Sequence, residues 1–322
     1  MYFITEKNEK IQLFKNHRNY IKPDWEVMLE PHIIEDYNLK INKGIKELRQ
    51  KFAASLKENI DKDGFDLSGK HILEVGCHSG GLTYALAEAF NAYVEGIDIP
   101  HYGIVQAVNL EVTQENLEKQ AKLLEDIREK IGEQFPREVR ERVTFRHLDV
   151  AEMEEKENYD AVISIDVLEH LSDPKKAFQK IYSSLKPGGI SFHRYNSFFS
   201  LSGGHSFCTL DFPFGHCSLS PSDFKSYVTT YRPKEAEAAI AFYEQSLNRM
   251  TLADLRDYLL DIGFDIFFIA GKPKKDIDPR KLKEKVIEEY LPRVKQHYPR
   301  VEVNDFFTDE AMVFVQKPKE KE

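Results

Sequence analysis

Two rhythms alternate through the middle of the chain. Short apolar runs at Ile72 to Val75, Ala92 to Pro100, Val143 to Asp149, Ala161 to Ile165 and Ile190 to Tyr195 have the composition of buried strands. Between them, apolar positions recur every three or four residues. The stripes are Leu82, Ala85, Leu86, Ala89, then Leu110, Leu117, Ala121, Leu124, Ile127, Ile131 over 104–131, then Ala177, Phe178, Ile181, Leu185. Strand and helix taking turns in this way predict an α/β fold built on a mostly parallel, doubly wound sheet. Upstream, Ile41, Ile45, Leu48, Phe52, Leu56 and Ile60 predict an amphipathic helix. Residues 1–65 therefore read as a helical extension. Its irregular part, with Tyr20, Pro23, Trp25 and Tyr37, either packs on the main domain or forms a lid.

Downstream of the fifth strand the pattern changes. Asn196 to Ser220 is rich in Gly, Ser, His and aromatic residues and has no period. It leaves the sheet at its C-terminal edge, where open α/β folds bind ligands, so 196–250 reads as a substrate-side insertion or lid. Ser220-Pro221-Ser222-Asp223 predicts a capped helix start, and a second helix follows from Pro233 to Ser246. Thr251 and Asp254 predict a capped helix that stops at Gly263. Phe264–Ala270 and Ala311–Val315 read as two antiparallel closing strands, with a charged helix over 279–297 between them. The domain layout is thus 1–65, 66–195, 196–250 and 251–322, with seven strands in the sheet.

The glycine-rich break after the first strand, Gly76-Cys77-His78-Ser79-Gly80-Gly81, brings backbone and a helix N-terminus close to a ligand. A phosphate loop would need Gly-Lys-Ser/Thr at its end, and no Lys is present. A dinucleotide loop would read G-x-G-x-x-G, whereas here His78 occupies the middle glycine's place. A third reading takes Glu74-x-Gly76-x-x-x-Gly80 together, with an acid that accepts a hydrogen bond from a ligand ammonium. Asp98, 22 residues after Gly76, stands where such folds place the acid that binds ribose hydroxyls.

The third pattern resembles the first motif of class I S-adenosylmethionine-dependent methyltransferases. Tyr159 to Gly189 strengthens the likeness with Asp166-Val-Leu-Glu-His170, Asp173-Pro174 and Leu185-Lys-Pro-Gly-Gly189. The resemblance covers roughly residues 70–195. It implies a Rossmann-like fold, S-adenosyl-L-methionine as cofactor, and cofactor contacts at Glu74, Gly76, Cys77, His78, Gly80, Asp98, Ile99, Asp149, Val150, Ile165 and Asp166. Within it, Asp149 would reach the adenine amino group. His78 departs from the usual glycine, so its side chain must turn away from the cofactor or alter its affinity.

Composition narrows the partners. A net charge of -9 provides no global field for nucleic acid or anionic membrane. The three cysteines are too scattered for a disulfide framework. No apolar stretch would span a bilayer and the charged N-terminus is not a secretory signal, so a cytoplasmic location is expected. The expected reaction is methyl transfer to a small-molecule acceptor, at oxygen. Its rivals are a nucleic-acid or protein methyltransferase and a non-catalytic cofactor-binding protein.

A hydroxyl or amine acceptor needs a group to take its proton, and His193, His216 and Asp166 are the candidates. No metal is called for. Against that stands Asp166-x-x-Glu169-His170, which resembles the divalent-ion cluster of the ubiquinone-pathway and small-RNA 2′-O-methyltransferases. A zinc set of His205, Cys208, His216 and Cys217 has suitable atoms but awkward spacing. Arg194, Tyr195 and Asn196 could reach a carboxylate or sugar at the same opening.

Overall fold

The computed structural model describes residues 1–23, 25, 44–99, 113–154, 156–275 and 278–319. Seven strands form one sheet: β3 (His71–Val75), β4 (Tyr93–Asp98), β5 (Val143–His147), β6 (Tyr159–Ile165), β7 (Leu185–Asn196), β8 (Asp265–Lys272) and β9 (Glu310–Gln316). Their order is β5-β4-β3-β6-β7-β9-β8. The first five are parallel, and β9 and β8 close the edge antiparallel. The chain winds one way from β3 to β5 and the other way from β6 to β7. The winding reverses between β3 and β6, where an open α/β sheet leaves a crevice for ligands.

Ile72 and Leu73 are both fully buried although they point to opposite faces, because helices cover the sheet on both sides. One apolar layer joins Ile72, Val94 and Ile163 to Leu82, Leu86 and Phe90 of the helix Gly81–Phe90, and to Leu56 and Ile60 of the helix Gly44–Lys62. The opposite layer joins Leu73 and Val162 to Phe178 and Ile181 of the helix Pro174–Ser184, and to Leu255 and Leu259 of the helix Leu252–Ile262. The expected caps form as read. Asp173, Ser220 and Thr251 each accept a hydrogen bond from the N–H three residues on. Gly263 ends its helix at φ 103°, the left-handed geometry that glycine adopts without a Cβ penalty.

A third apolar cluster stands apart from the sheet. Phe198, Phe207, Phe214, Phe224 and Tyr243 from the 196–250 segment pack with Val286, Tyr290 and Phe306 from near the C-terminus, and with Phe3, Ile11 and Ile21 from the N-terminus. A buried Arg18–Glu235 ion pair at 2.5 Å ties the same pieces together.

The N-terminal expectation needs correction. Residues 1–65 are not helical throughout: β1 (Tyr2–Ile4) and β2 (Lys10–Gln12) form an antiparallel hairpin. Its paired Phe3 and Ile11 are buried while their neighbours are exposed, an alternation of three residues and too short to reveal its period. The stretch read as helical over 104–131 is helical from Gln114 to Gly132, and its Leu110 lies outside the described residues, as do Ile41 and Tyr37. β7 begins at Leu185 rather than Ile190, because Lys186 to Gly189 continues the strand through an irregularity in its pairing with β6.

Candidate active site

A cavity of about 480 Å³ opens at the reversal point, within the usual size for a small-ligand pocket. Strand ends, the glycine-rich turn and the 166–173 segment line it. Among the eleven residues expected to touch the cofactor, ten line this cavity: Glu74, Gly76, Cys77, His78, Asp98, Ile99, Asp149, Val150, Ile165 and Asp166. Gly80 does not. It is a structural hinge at φ 78°, where a Cβ would stand 2.5 Å from the ring of Phe145.

Glu74, the penultimate residue of β3, is 3% exposed and faces the cavity. Burial pushes its pKa up to about 7, against a hydrogen bond from Thr83 Oγ1 at 2.5 Å and the nearby Arg49 guanidinium. The turn that follows is clamped from outside. Arg128, in the helix Gln114–Gly132, donates from Nε to the His78 carbonyl at 2.8 Å and lies over the Phe145 ring. The His78 amide donates to Asp98 Oδ2 at 2.6 Å, and the Ile99 amide to Asp98 Oδ1 at 2.7 Å. Asp98 is thereby aimed at the cavity, with lone pairs remaining on both oxygens. Its pKa is raised, chiefly by burial. His78 adopts φ 41°, and both its amide and its carbonyl are tied into the turn. Asp149 closes the other wall, its Oδ1 accepting the Ala151 N–H at 2.8 Å.

The model for a family described as "Methyltransferase domain" matches residues 40–267, well over half of the chain. The chain belongs to this methyltransferase family. Its cofactor is S-adenosylmethionine, and the acidic strand ends above suit that ligand's ammonium and ribose. The methyltransferase is 30% identical over 121 residues to phosphoethanolamine N-methyltransferase 2 of Caenorhabditis elegans, covering 38% of this chain and 22% of that one. It is 27% identical over 137 residues to the ubiquinone biosynthesis O-methyltransferase of Pseudomonas entomophila, covering 42% and 49%. The chain thus spans less than half the length of these curated relatives. A solved S-adenosylmethionine-dependent methyltransferase from Mesorhizobium loti is 12% identical with a TM-score of 0.42, covering 78% of this chain and 93% of that one. Among the described residues, no helix is long and apolar enough to cross a membrane.

The structure separates the three candidate bases. Asp166 lines the cavity at φ 59°, paired with Arg194 at 3.1 Å. His193 does not reach it. Side chains alternate along β7, and His193 points into the layer beneath the helix Pro174–Ser184. There it is wedged between the hydroxyls of Ser164 and Ser191, each 2.7 Å away, and against Phe178. Burial lowers its pKa to about 3. His216 is also buried, with Nε2 donating to the Phe198 carbonyl at 2.6 Å and its pKa lowered to about 4 by burial.

The zinc set is not assembled either. Cys208 Sγ faces the Ala239 carbonyl and Cys217 Sγ the Phe214 carbonyl, and burial pushes both thiols far up. Tyr195 and Asn196 turn inward rather than towards the opening, while Arg194 stays partly exposed beside it. Arg194 lies against Asp166 and the Phe52 ring, Tyr195 is buried, and the Asn196 amide donates to Glu169. The Asp166, Glu169 and His170 cluster is regrouped as well. Glu169 and His170 meet His205 from the 196–250 segment, their ligating atoms all within 4.8 Å of one another. Asp166 is not part of the group.

Nothing in the sequence marks Arg49 and Gln245 as cavity residues. Arg49 and Gln245 sit on helices distant in sequence, and no local signal connects them to the strand ends. His170, which the sequence groups with Asp166 and Glu169, lines the cavity as well.

Proposed function

We propose that the chain transfers the methyl group of S-adenosylmethionine to a hydroxyl oxygen of a small molecule. The observation that carries this reading is a shared cavity. Glu74, Asp98 and Asp149 line one end, while Asp166, His170 and Gln245 line the other, Gln245 coming from the 196–250 segment. Cofactor and acceptor would therefore meet inside one cleft. Glu74 would take the cofactor's ammonium, Arg49 its carboxylate and Asp98 its ribose hydroxyls. The cofactor supplies an electrophilic methyl on sulfonium; the protein supplies alignment and water exclusion, here through Ile165, Val167 and Leu171. With His193 and His216 sealed away, Asp166 is the candidate left to take the acceptor's proton. The ubiquinone-pathway likeness supports oxygen as the methylated atom, and the charge of -9 weighs against a polyanionic acceptor.

Methyl-labelled cofactor should be consumed with catechols or other phenols as acceptors, releasing S-adenosylhomocysteine. Label passing only to amines or to tRNA would overturn the proposal.

Glu74 predicts a pH dependence. Its folded pKa of about 7 exceeds the ordinary 4.5, so its contribution to ligand-free stability is complete below pH 4.5 and lost as pH rises to about 7. A bound ammonium needs the carboxylate. Affinity for S-adenosylhomocysteine should therefore increase with pH over that window, by up to about tenfold per unit. Calorimetric titrations from pH 5.5 to 8.5 would show the slope, and Glu74→Gln should flatten it.

A further inference from the structure

One side of the sheet ends without a partner. Among the described residues β8 is the outer strand there, running eight residues from Asp265 to Lys272. Backbone N–H and C=O groups on its far side have no ladder to join, and such an edge is a template for another strand. Natural proteins blunt these edges with proline or with charges along the strand. Between its charged ends β8 reads Ile-Phe-Phe-Ile-Ala-Gly, with neither. Phe267 and Phe268 are left 49% and 39% exposed. Phe267 stacks on Phe314 and meets Phe65 edge-on, so its uncovered side is held in place.

Pairing with β9 shows how the strand counts. Ile266 faces Val315 and Phe268 faces Phe314, so Phe267 is an extra residue, a bulge. The other seven residues take successive ladder positions, and Ile269 is the middle one. A second β8 related by a two-fold axis through Ile269 would run antiparallel to the first. It would set Ile269 against Ile269, Phe268 against Ala270, Ile266 against Gly271 and Asp265 against Lys272. Large side chains then meet small ones, and acid meets base at both ends. Opposed residues also share a face, as antiparallel pairing requires. Ile266 and Ile269 pack with the layer of the helix Leu252–Ile262, whereas Phe268 lies against Phe314 in the other layer.

We propose that β8 is a dimer seam, where two copies of this chain join their seven-stranded sheets edge to edge into one of fourteen strands. The strand matches its own sequence read backwards, which selects a second copy over a foreign strand as the occupant. The contact is isologous, so it closes on itself and leaves no free edge between the copies. Lys272 pairs with Glu310 at 3.2 Å and is 60% exposed, which leaves it room to meet Asp265 of the other copy. β7 and β9 separate β8 from β6, so the seam leaves the cofactor cavity open. The axis reverses strand direction, and the two cavities would open at opposite ends of the joined sheet. None of this rests on the acceptor proposed above.

Sedimentation equilibrium of the full chain should give twice 37.5 kDa, and amide exchange over 265–272 should slow as concentration rises through dimer formation. Lys272→Asp opposes like charges at both ends and should weaken the dimer about 10-fold or more. Adding Asp265→Lys to it opposes unlike charges again and should recover the loss. Phe268→Lys, at an exposed position facing Ala270, should leave monomer. S-adenosylhomocysteine affinity should stay as in the unaltered chain throughout, since no β8 residue lines the cavity. A chain that stays monomeric, its edge free or taken by a strand of another protein, would overturn the seam. So would a dimer that none of these variants weakens.

Discussion

Asp98→Ala should weaken S-adenosylhomocysteine binding by about 100-fold or more. The carboxylate already receives one backbone N–H on each oxygen, from His78 and Ile99. Those bonds hold it in one orientation, so the proposed ribose hydroxyls meet an acceptor that needs no reordering. Hydrogen bonds to a charged group contribute about 1.5–3 kcal/mol each, and losing two removes about 3 kcal/mol or more, beyond the ~2.7 kcal/mol of a 100-fold change. Asp98→Asn should fall between, since its amide keeps one acceptor oxygen and replaces the other by a donor. Calorimetry reads the affinity, and thermal melting of the ligand-free variants reads damage to the turn itself. An unchanged affinity in Asp98→Ala would remove Asp98 from the cofactor site.

Gly76→Ala should destabilise the fold by about 3 kcal/mol. The residue adopts φ 78°, where a Cβ costs about 1–2 kcal/mol. The added methyl would also stand 2.2 Å from Val167 Cγ2, an overlap that forces a shift costing about 1–3 kcal/mol. The two contributions can be separated. Val167→Ala in the same chain should restore the packing part and leave the backbone part, a coupling that a double-mutant cycle in urea measures directly. Additive losses would mean that the turn, rather than Val167, sets the limit.

Where sequence reasoning succeeded, the signals were local. Strands buried on both faces show as unbroken apolar runs, and Asp173, Ser220 and Thr251 announce their helices because a cap acts within three residues. Glu74, Asp98 and Asp149 were legible because parallel strands end at one edge, so an acid at each end meets the others without further information. His193 was misplaced for a related reason. Its strand was identified, but the face it points to depends on which helix lies beneath, and only Phe178 decides that. Asp166, Glu169 and His170 stand out together in the sequence, yet the residue that meets Glu169 and His170 in the fold sits 35 residues on, in a stretch with no period to place it.

The cluster that joins Phe3 to Phe306 has a bearing on how the molecule is made. The hairpin emerges from the ribosome long before its partners near Phe306. Until they do, Phe198, Phe207 and Phe214 have no complete shelter and face water. Contacts so far apart in sequence form slowly, and exposed aromatic surface in that interval invites association between nascent chains. The sheet and its covering helices can therefore be in place while this aromatic cluster is still open, and any helper in biogenesis would be needed there.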